Sequence, residues 1–431
     1  MTLIATLRGI GLARDINQEA AIYAAPPADM ATFQLARFNA GWTDSLARSP
    51  WARAMAARLA LPQSFASWDD LATRVPVQTK ADLRLDLADP ATANEPVSWR
   101  ATGGTTAEPL RFPVFRSEAR DAGIDQWLGR GRLDVTPSDR LFMIWGHAHM
   151  FGTGLKGTIN RLKRQLSDAV IGYTRWSAYS MSPADLRLAG DALAESGARY
   201  VIGYSSALDR FARANADRSS AFRGLNLKAV IATAEGFPRE DSRAVIEACF
   251  GCPVVMEYGS VETGAIAYER PAGGYDVFWA RHRIELGEAT PAGRTLIVTS
   301  LNARALPLLR YAIGDVANAG GTDGVTGFDA VGGRVNDAIT LPNGTPIHSE
   351  AFTHVMRDLP GVRVYQIVGR KGGGVPTIRY EAEAPLAEAS LSLLKKRLAL
   401  IDEVLRDTPV ERVEEIPLSG AGKHRMVIEE S

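Results

Sequence analysis

Apolar side chains recur at helical spacing through residues 28–60 and are interrupted at Ser49-Pro50, which predicts two packed helices. The following "SWDDLATRVPVQTKADLRLDL" reads as a helix, a turn broken by Pro76 and a second helix. From about residue 140 the period alternates. "RLFMIW" (140–145), "RYVIGY" (199–204), "LKAVIAT" (227–233) and "VVMEY" (254–258) are short apolar runs of strand length. Helical patterns separate the later runs, at 182–196, 206–216 and 239–250, the first with Ser182 as N-cap and Pro183 opening the helix. Strands alternating with helices imply crossover units and a largely parallel sheet. After Tyr258 the style changes: 294–301 and 307–317 read as strands joined by turns, antiparallel in character. A last segment of about a hundred residues carries one long amphipathic pattern at 386–407 between strand-like 362–368 and 410–416. The expected fold is α/β: a large N-terminal domain, 1–333, of mixed, largely parallel sheets and helices, followed by a small α+β domain, 334–431.

Bulk properties narrow the function. A chain of 431 residues is too long for one small core and suggests two or three domains. Hydrophobic residues make up 46% and charged residues 23%, the balance of a water-soluble globular protein. Lys+Arg and Asp+Glu are equal at 49 each, so no global field favours nucleic acid or an anionic membrane. The N-terminal "MTLIATLRGIGLARDINQEA" has one short apolar run, then Arg and Asp, and reads as mature protein. With no membrane-length apolar stretch, a cytoplasmic location is the default expectation. Cys249 and Cys252 have CxxC spacing, but no second CxxC and no His at finger spacing accompany them, so buried structural cysteines are expected over a redox or zinc site.

Five polar stretches carry the candidate chemistry. "RATGGTTAEPLRF" (100–112) offers bare backbone amides and hydroxyls, which suit a polyphosphate or simply a flexible surface turn. It is not a Walker motif, because no Gly-Lys-Ser/Thr closes it. "MEYGSVETG" (256–264) places Tyr258 at a strand end with Glu262 four residues on; an aromatic stacks on a base and a carboxylate holds magnesium, or the stretch is an ordinary polar hairpin. "RYAIGDV" (310–316) sets Asp315 after a glycine at a strand end, where a carboxylate can accept from both ribose hydroxyls or serve a turn. "GGRVND" (332–337) puts Arg334 and Asp337 at the apparent domain junction, and "LSGAGKHRM" (418–426) ends the chain with Lys423 on a Gly-flanked loop.

In this order the set resembles the adenylate-forming superfamily of acyl-CoA synthetases, peptide-synthetase adenylation domains and luciferases. The phenylacetate–CoA ligase branch and the capsule-biosynthesis adenylating proteins are the most similar in pattern, through "VPVQTKADLR" (75–84), "VIGYSSAL" (201–208) and "ATAEGFPREDSR" (232–243). The resemblance runs from about residue 30 to the end. It implies that a carboxylate attacks the α-phosphate of ATP, giving an acyl-adenylate and pyrophosphate, and that a thiol or amine then takes the acyl group. It assigns Thr102, Gly103, Gly104, Thr105 and Thr106 to the phosphates; Ala234, Glu235, Glu257, Tyr258 and Gly259 to the adenine; Asp315 to the ribose; and Glu262 to Mg²⁺. Arg334 would reach ribose or phosphate beside a hinge at 334–337 that includes Asn336 and Asp337. Lys423 would bridge the acid and the α-phosphate from a mobile lid domain, gating the chemistry by closure.

The same resemblance implies ATP, Mg²⁺ and CoA as ligands, a small aryl or other compact carboxylic acid as substrate, and no nucleic-acid or membrane partner. An amine or a carrier-protein thiol is the alternative acceptor, and a non-catalytic nucleotide-binding homologue a third possibility. Ala107 and Glu108 stand where the family usually has Gly and often Lys, Val261 replaces a hydroxyl residue before the magnesium glutamate, and Asn336 occupies the usual Asp/Lys hinge position. For the acid pocket the candidates are Trp145, His147, His149 and Ser260, with Met150 and Phe151 as further lining. The HxH pair fits a substrate contact, a gate to the acceptor, a metal site or a polar loop, and Trp145 fits pocket or core.

Overall fold

The computed structural model describes residues 3–87, 97–102, 110–146, 166–178, 182–237, 241–290, 293–332, 338–344, 346–356, 359–362, 364–370, 373–416 and 427–430. Helix α1 spans Leu3–Ala24, followed by α2 (Met30–Arg48), α3 (Pro50–Leu59), α4 (Trp68–Arg74), α5 (Lys80–Asp86) and α6 (Arg116–Gly131). Ser49 caps α3 through its side chain, and Pro50 takes the first helical position, as the Ser-Pro break predicts. Helix α1 is not anticipated by the sequence pattern: its Leu12, Ile16 and Tyr23 bury one flank against the sheet through contacts the local sequence does not announce.

An eight-stranded sheet forms the centre, built on β3 (Leu141–Trp145), β4 (Tyr173–Ser177), β5 (Tyr200–Tyr204), β6 (Ala229–Thr233), β7 (Val254–Ser260), β8 (Gly264–Glu269), β9 (Tyr275–Val277) and β13 (Gly327–Phe328). Its order is β13-β9-β8-β7-β6-β5-β3-β4. The pairs among β3 to β7 are parallel, and the edge from β7 onward is antiparallel. Both faces are covered, which is why these strands read as continuous apolar runs. Val201, Val230, Ala232 and Val254 face the core under α7 (Pro183–Ser196), α8 (Ser205–Ala214) and α10 (Ser242–Phe250), with the short α9 (Ser219–Arg223) alongside. Their neighbours Tyr200, Ile202, Ile231 and Val255 face α1 and α6.

Strands β10 (His282–Thr290), β11 (Gly293–Ser300), β12 (Tyr311–Asn318) and β14 (Ala330–Gly332) make an antiparallel sheet, and β1 (Val97–Ala101) pairs with β2 (Arg111–Phe115). This sheet and helices α2 to α5 enclose a further core around Phe38, Trp42, Trp51 and Tyr311. After residue 338 a separate α+β region follows. Strands β15 (Ala338–Thr340) and β16 (Pro346–His348) form a hairpin, while β17 (Val364–Arg370), β18 (Thr377–Glu381), β19 (Val410–Val413) and β20 (Val427–Glu430) pair in the order β19-β18-β17-β20. With α11 (Ser349–Met356) and α12 (Glu388–Ile401) they enclose their own core of Phe352, Ile367, Leu394 and Leu398.

Three element boundaries differ from the sequence reading. The expected long helix ends at Ile401, where Asp402 turns extended and its carboxylate caps a 3₁₀ turn over Glu403–Asp407. The strand expected from residue 307 starts at Tyr311, because Arg310 adopts a left-handed φ of 47°. Asp315 lies inside β12 rather than at its end, since the register shift falls on that stretch and not after it.

Cys249 and Cys252 are buried and free, as expected. Burial pushes their thiols up to about 11 and about 12, so thiolate is scarce at neutral pH. Native protein treated with iodoacetamide at pH 8 is expected to remain unlabelled at both positions by mass spectrometry, and urea-unfolded protein to label at both.

Candidate active site

The carboxyl ends of the parallel strands lie in a row: Trp145 on β3, Tyr204 on β5, Thr233 on β6 and Tyr258 near the end of β7. Crevices beyond such strand ends are where open α/β sheets bind ligands. The β7–β8 hairpin closes this row with a register shift between Tyr258 and Gly259. A Cβ at Gly259 would stand 2.1 Å from the Gly264 carbonyl oxygen, so only glycine lets the two strands approach there.

Across from β7, the antiparallel sheet supplies β12. Gly314 has φ 94°, and the register slips so that residues 313–315 bulge opposite a single residue of β11. A bulge re-aims side chains. The Tyr258 hydroxyl donates to Asp315 Oδ2 at 2.9 Å, and the Tyr258 ring meets Phe328 edge-on at 6.4 Å.

Glu262 sits in the turn beyond β7 and is 5% exposed. Its Oε1 accepts from Tyr311 Oη at 3.2 Å and faces Lys80 Nζ at 3.1 Å. Burial alone would raise this carboxyl, but the Lys80 ammonium and the bonds from Lys80, Ser260 and its own backbone outweigh it and hold it below the usual range. Lys80 arrives there for local reasons. Thr79 and Asp82 form a reciprocal capping box that starts α5 at Lys80, and Gln78 pairs with β12 through Gln78 N to Arg310 O and Ala312 N to Gln78 O, both 2.9 Å. Sequence reasoning did not single out Lys80 as a site residue; the one signal was its place in "VPVQTKADLR".

The turn is braced from behind. Arg304 donates through Nη2 to the Glu262 carbonyl and pairs through Nε with Glu118 Oε2 at 3.2 Å. Glu118 in turn accepts from the amides of Phe115 and Ala305. Arg100, two residues before Thr102, acts electrostatically on both Glu118 and Arg304. Thr102 is buried and extends the β1–β2 pairing: its N–H donates to the Leu110 carbonyl and its Oγ1 accepts from the Leu110 N–H, each at 3.0 Å.

No protein-family model and no curated protein matches the sequence. Among solved structures, the chain is similar to 2-hydroxyisobutyryl-CoA ligase in complex with 2-HIB-AMP and CoA in the thioesterification state, at 19% identity over 94% of this chain and 90% of that one, with a TM-score of 0.60. An open conformation of that ligase with 2-HIB-AMP and CoA matches at 18% identity over 92% and 91%, with a TM-score of 0.53. Its postadenylation state with 2-HIB-AMP matches at 18% over 92% and 89%, also at 0.53.

The chain has the adenylate-forming ligase fold.

Within that fold the structure brings some of the motif residues together and separates others. Tyr258 joins Asp315, and Glu262 lies one turn further on with Ser260, whose Oγ is 3.1 Å from Thr263 Oγ1. Val261 is 42% exposed on that turn. The pleat sends Glu257 to the opposite face, where its carboxylate accepts from Tyr268 Oη and lies 3.9 Å from Arg130 Nη2. Glu235 turns its carboxylate to Ser206 at the start of α8, beside exposed Ala234. The Trp145 ring packs on Tyr204 with centroids 4.5 Å apart, between the two cores that flank the sheet. Gly103, Gly104, Thr105, Thr106, Ala107, Glu108, His147, His149, Met150, Phe151, Arg334, Asn336, Asp337 and Lys423 lie outside the described residues. Among the described residues no group of three or more His, Cys, Asp or Glu is placed to hold a metal, and no helix is long and apolar enough to cross a membrane.

One buried carboxylate with hydroxyls beside it does not make an all-protein metal cage. It does fit Mg²⁺, which is commonly held by one or two carboxylates plus substrate phosphates. Glu262 is the residue that would hold it, with Lys80 and Tyr311 fixing one of its oxygens.

Proposed function

We propose that this chain is an AMP-forming acid–thiol ligase of phenylacetate–CoA ligase type. It activates a small aryl or other compact carboxylic acid with ATP and transfers the acyl group to CoA. The observation that carries the reading is the pairing of Tyr258 with Asp315 across two sheets, with the charged, cation-backed Glu262 on the turn that follows the same strand. In the first step a carboxylate oxygen of the acid bonds to the α-phosphorus and the bond to pyrophosphate breaks. In the second the CoA thiol bonds to the acyl carbon, its proton is lost, and AMP leaves.

Position and charge support the roles of Tyr258, Asp315, Thr102 and Glu262, and the family resemblance supplies those of the Gly/Thr stretch, Arg334 and Lys423. Asp315 accepts from the ribose hydroxyls, and Tyr258, held by Asp315, offers its ring to the base. Thr102 pins the neck from which the loop residues Gly103, Gly104, Thr105 and Thr106 wrap the β- and γ-phosphates. Glu262 would hold Mg²⁺, which would supply neutralisation of the phosphate charge. Arg334 meets the nucleotide from the hinge at 334–337, and Lys423, on the lid domain 334–431, bridges the acid carboxylate and α-phosphate once the lid closes.

Pyrophosphate release measured across a panel of aryl and short aliphatic acids, with and without CoA, tests the proposal. Acid-dependent release with turnover accelerated by CoA is the expected result. Acid-dependent release indifferent to CoA moves the acceptor to an amine or a carrier-protein thiol. ATP binding without release for any acid points to a non-catalytic nucleotide-binding homologue.

A further inference from the structure

We propose that Ser205 and Ser206 are positioning residues for the nucleotide site, acting through Glu235 to hold the Ala234 backbone in a left-handed conformation; this rests on the nucleotide site proposed above. Among the described residues, five other than glycine have positive φ: Ala60, Asp134, Asn226, Ala234 and Arg310. Ala60 is the C-cap of α3, and Asp134 and Asn226 are of the residue types that tolerate this region. Arg310 and Ala234, at φ 47° and 71°, have neither reason; Arg310 is held by its N–H on Thr299 Oγ1 and its guanidinium on Glu285, each at 3.0 Å, which leaves Ala234. A β-carbon in this region clashes with the following carbonyl, so something else must impose the conformation.

The structure shows what does. On the N-terminal side, Thr233 Oγ1 donates to the Glu257 carbonyl at 3.0 Å, locking the ends of β6 and β7 together. On the other side, the buried Ser205 Oγ donates to the Glu235 carbonyl at 2.8 Å. The Ser206 N–H donates to Glu235 Oε1 at 2.8 Å, and the Ser206 hydroxyl donates to the same oxygen. These bonds also serve α8. Its N-cap position is Tyr204, which makes no side-chain cap, so the Glu235 carboxylate supplies a tertiary cap at the positive end of the helix. The result is an exposed alanine at the carboxyl end of β6, held between a half-buried bond on one flank and the buried Ser205 and Glu235 on the other.

Helix capping does not by itself require a strained residue in the connecting turn. Strain that the surroundings over-determine, at the mouth of a ligand crevice, is the mark of a clamp. Thr233 is paired in register with Glu257, the residue before Tyr258, so the Ala234 turn leaves β6 at the level where β7 carries Tyr258, whose ring is assigned to the base. Holding them in one arrangement presents fixed hydrogen-bonding groups to the base edge rather than to the phosphates.

The test is calorimetric titration of Mg·ATP, and separately of tripolyphosphate, which has no base. The proteins compared are wild type, Ser205→Ala/Ser206→Ala, and that double variant carrying Ala234→Gly. The double variant is expected to bind ATP about tenfold more weakly, the size of the left-handed penalty once the clamp is gone, while tripolyphosphate affinity stays unchanged. Adding Ala234→Gly is expected to restore most of the ATP affinity, because glycine occupies this region without penalty. Unchanged ATP binding in the double variant, no recovery with glycine, or an equal loss for tripolyphosphate would each overturn the positioning role and leave the nucleotide site standing. A wild-type protein that binds no ATP overturns the site itself, and the inference with it. Should the double variant not fold, Ser206→Ala with and without Ala234→Gly gives the same comparison at smaller amplitude.

Discussion

Replacing Glu262 by glutamine is expected to lower acid-dependent pyrophosphate release by about 10²–10³-fold, the usual loss when one preorganised electrostatic partner of the transition state is removed. The amide keeps the shape and can still accept from Tyr311 Oη. It removes the negative charge, and with it both the proposed metal ligand and the counter-charge of Lys80, whose side chain is only 16% exposed. The defect should therefore show in the magnesium dependence, with more Mg²⁺ needed for half-maximal rate. Lys423→Ala is expected to slow the reaction by a similar factor and leave the magnesium requirement unchanged, because its ammonium is assigned to the acid and α-phosphate. Initial rates over a magnesium series distinguish the two. Wild-type activity in Glu262→Gln would remove Glu262 from the metal site.

Arg281→Met is expected to destabilise the protein by about 3–5 kcal/mol at pH 8, the range for removing one partner of a buried ion pair. The Arg281 guanidinium is buried and serves three carboxylates: Asp125 at 2.8 Å, Glu19 at 3.3 Å and Asp121 at 3.5 Å. It thereby ties α1 and α6 to the segment between β9 and β10. Burial pushes the Asp125 carboxyl up from 3.8 to about 6 even though Arg281 pulls it down. The sign follows. Between pH 3.8 and about 6 the native state keeps the proton that the unfolded state has released, so this group makes stability fall as pH rises through that window. At pH 5 Asp125 is already largely protonated in the native protein, and less of the ion pair remains to be lost. The difference between wild type and Arg281→Met should be smaller there than at pH 8, as urea midpoints would show. An equal difference at both pH values would place the loss in packing rather than charge.

Much of the scaffold was legible because its signals are local. Strands β3, β5, β6 and β7 each appeared as an apolar run of strand length, and Ser182-Pro183 and Ser49-Pro50 opened helices where the residue types require it. Helix α1 was not legible, because its burial depends on α6 and the sheet rather than on a strong face of its own. The bulge that aims Asp315 was foreshadowed only by Gly314, since a glycine in a strand pattern does not say which way the next side chain will turn.

The residue types of the proposed site and their order along the chain are properties of the sequence alone: the Gly/Thr stretch, Tyr258, Glu262, Asp315 and the stretch that carries Lys423. Which of them meet was decided by tertiary structure. Side chains on neighbouring positions of β7 face opposite ways, so Tyr258 reaches Asp315 while Glu257 is spent on Tyr268 and Arg130. Glu235, adjacent in sequence to an exposed turn, is drawn into capping a helix that begins thirty residues earlier in the chain. Lys80 and Arg304 entered the site from distant segments because the buried Glu262 carboxylate and its backbone carbonyl need partners, and charge attracts through space without regard to sequence distance.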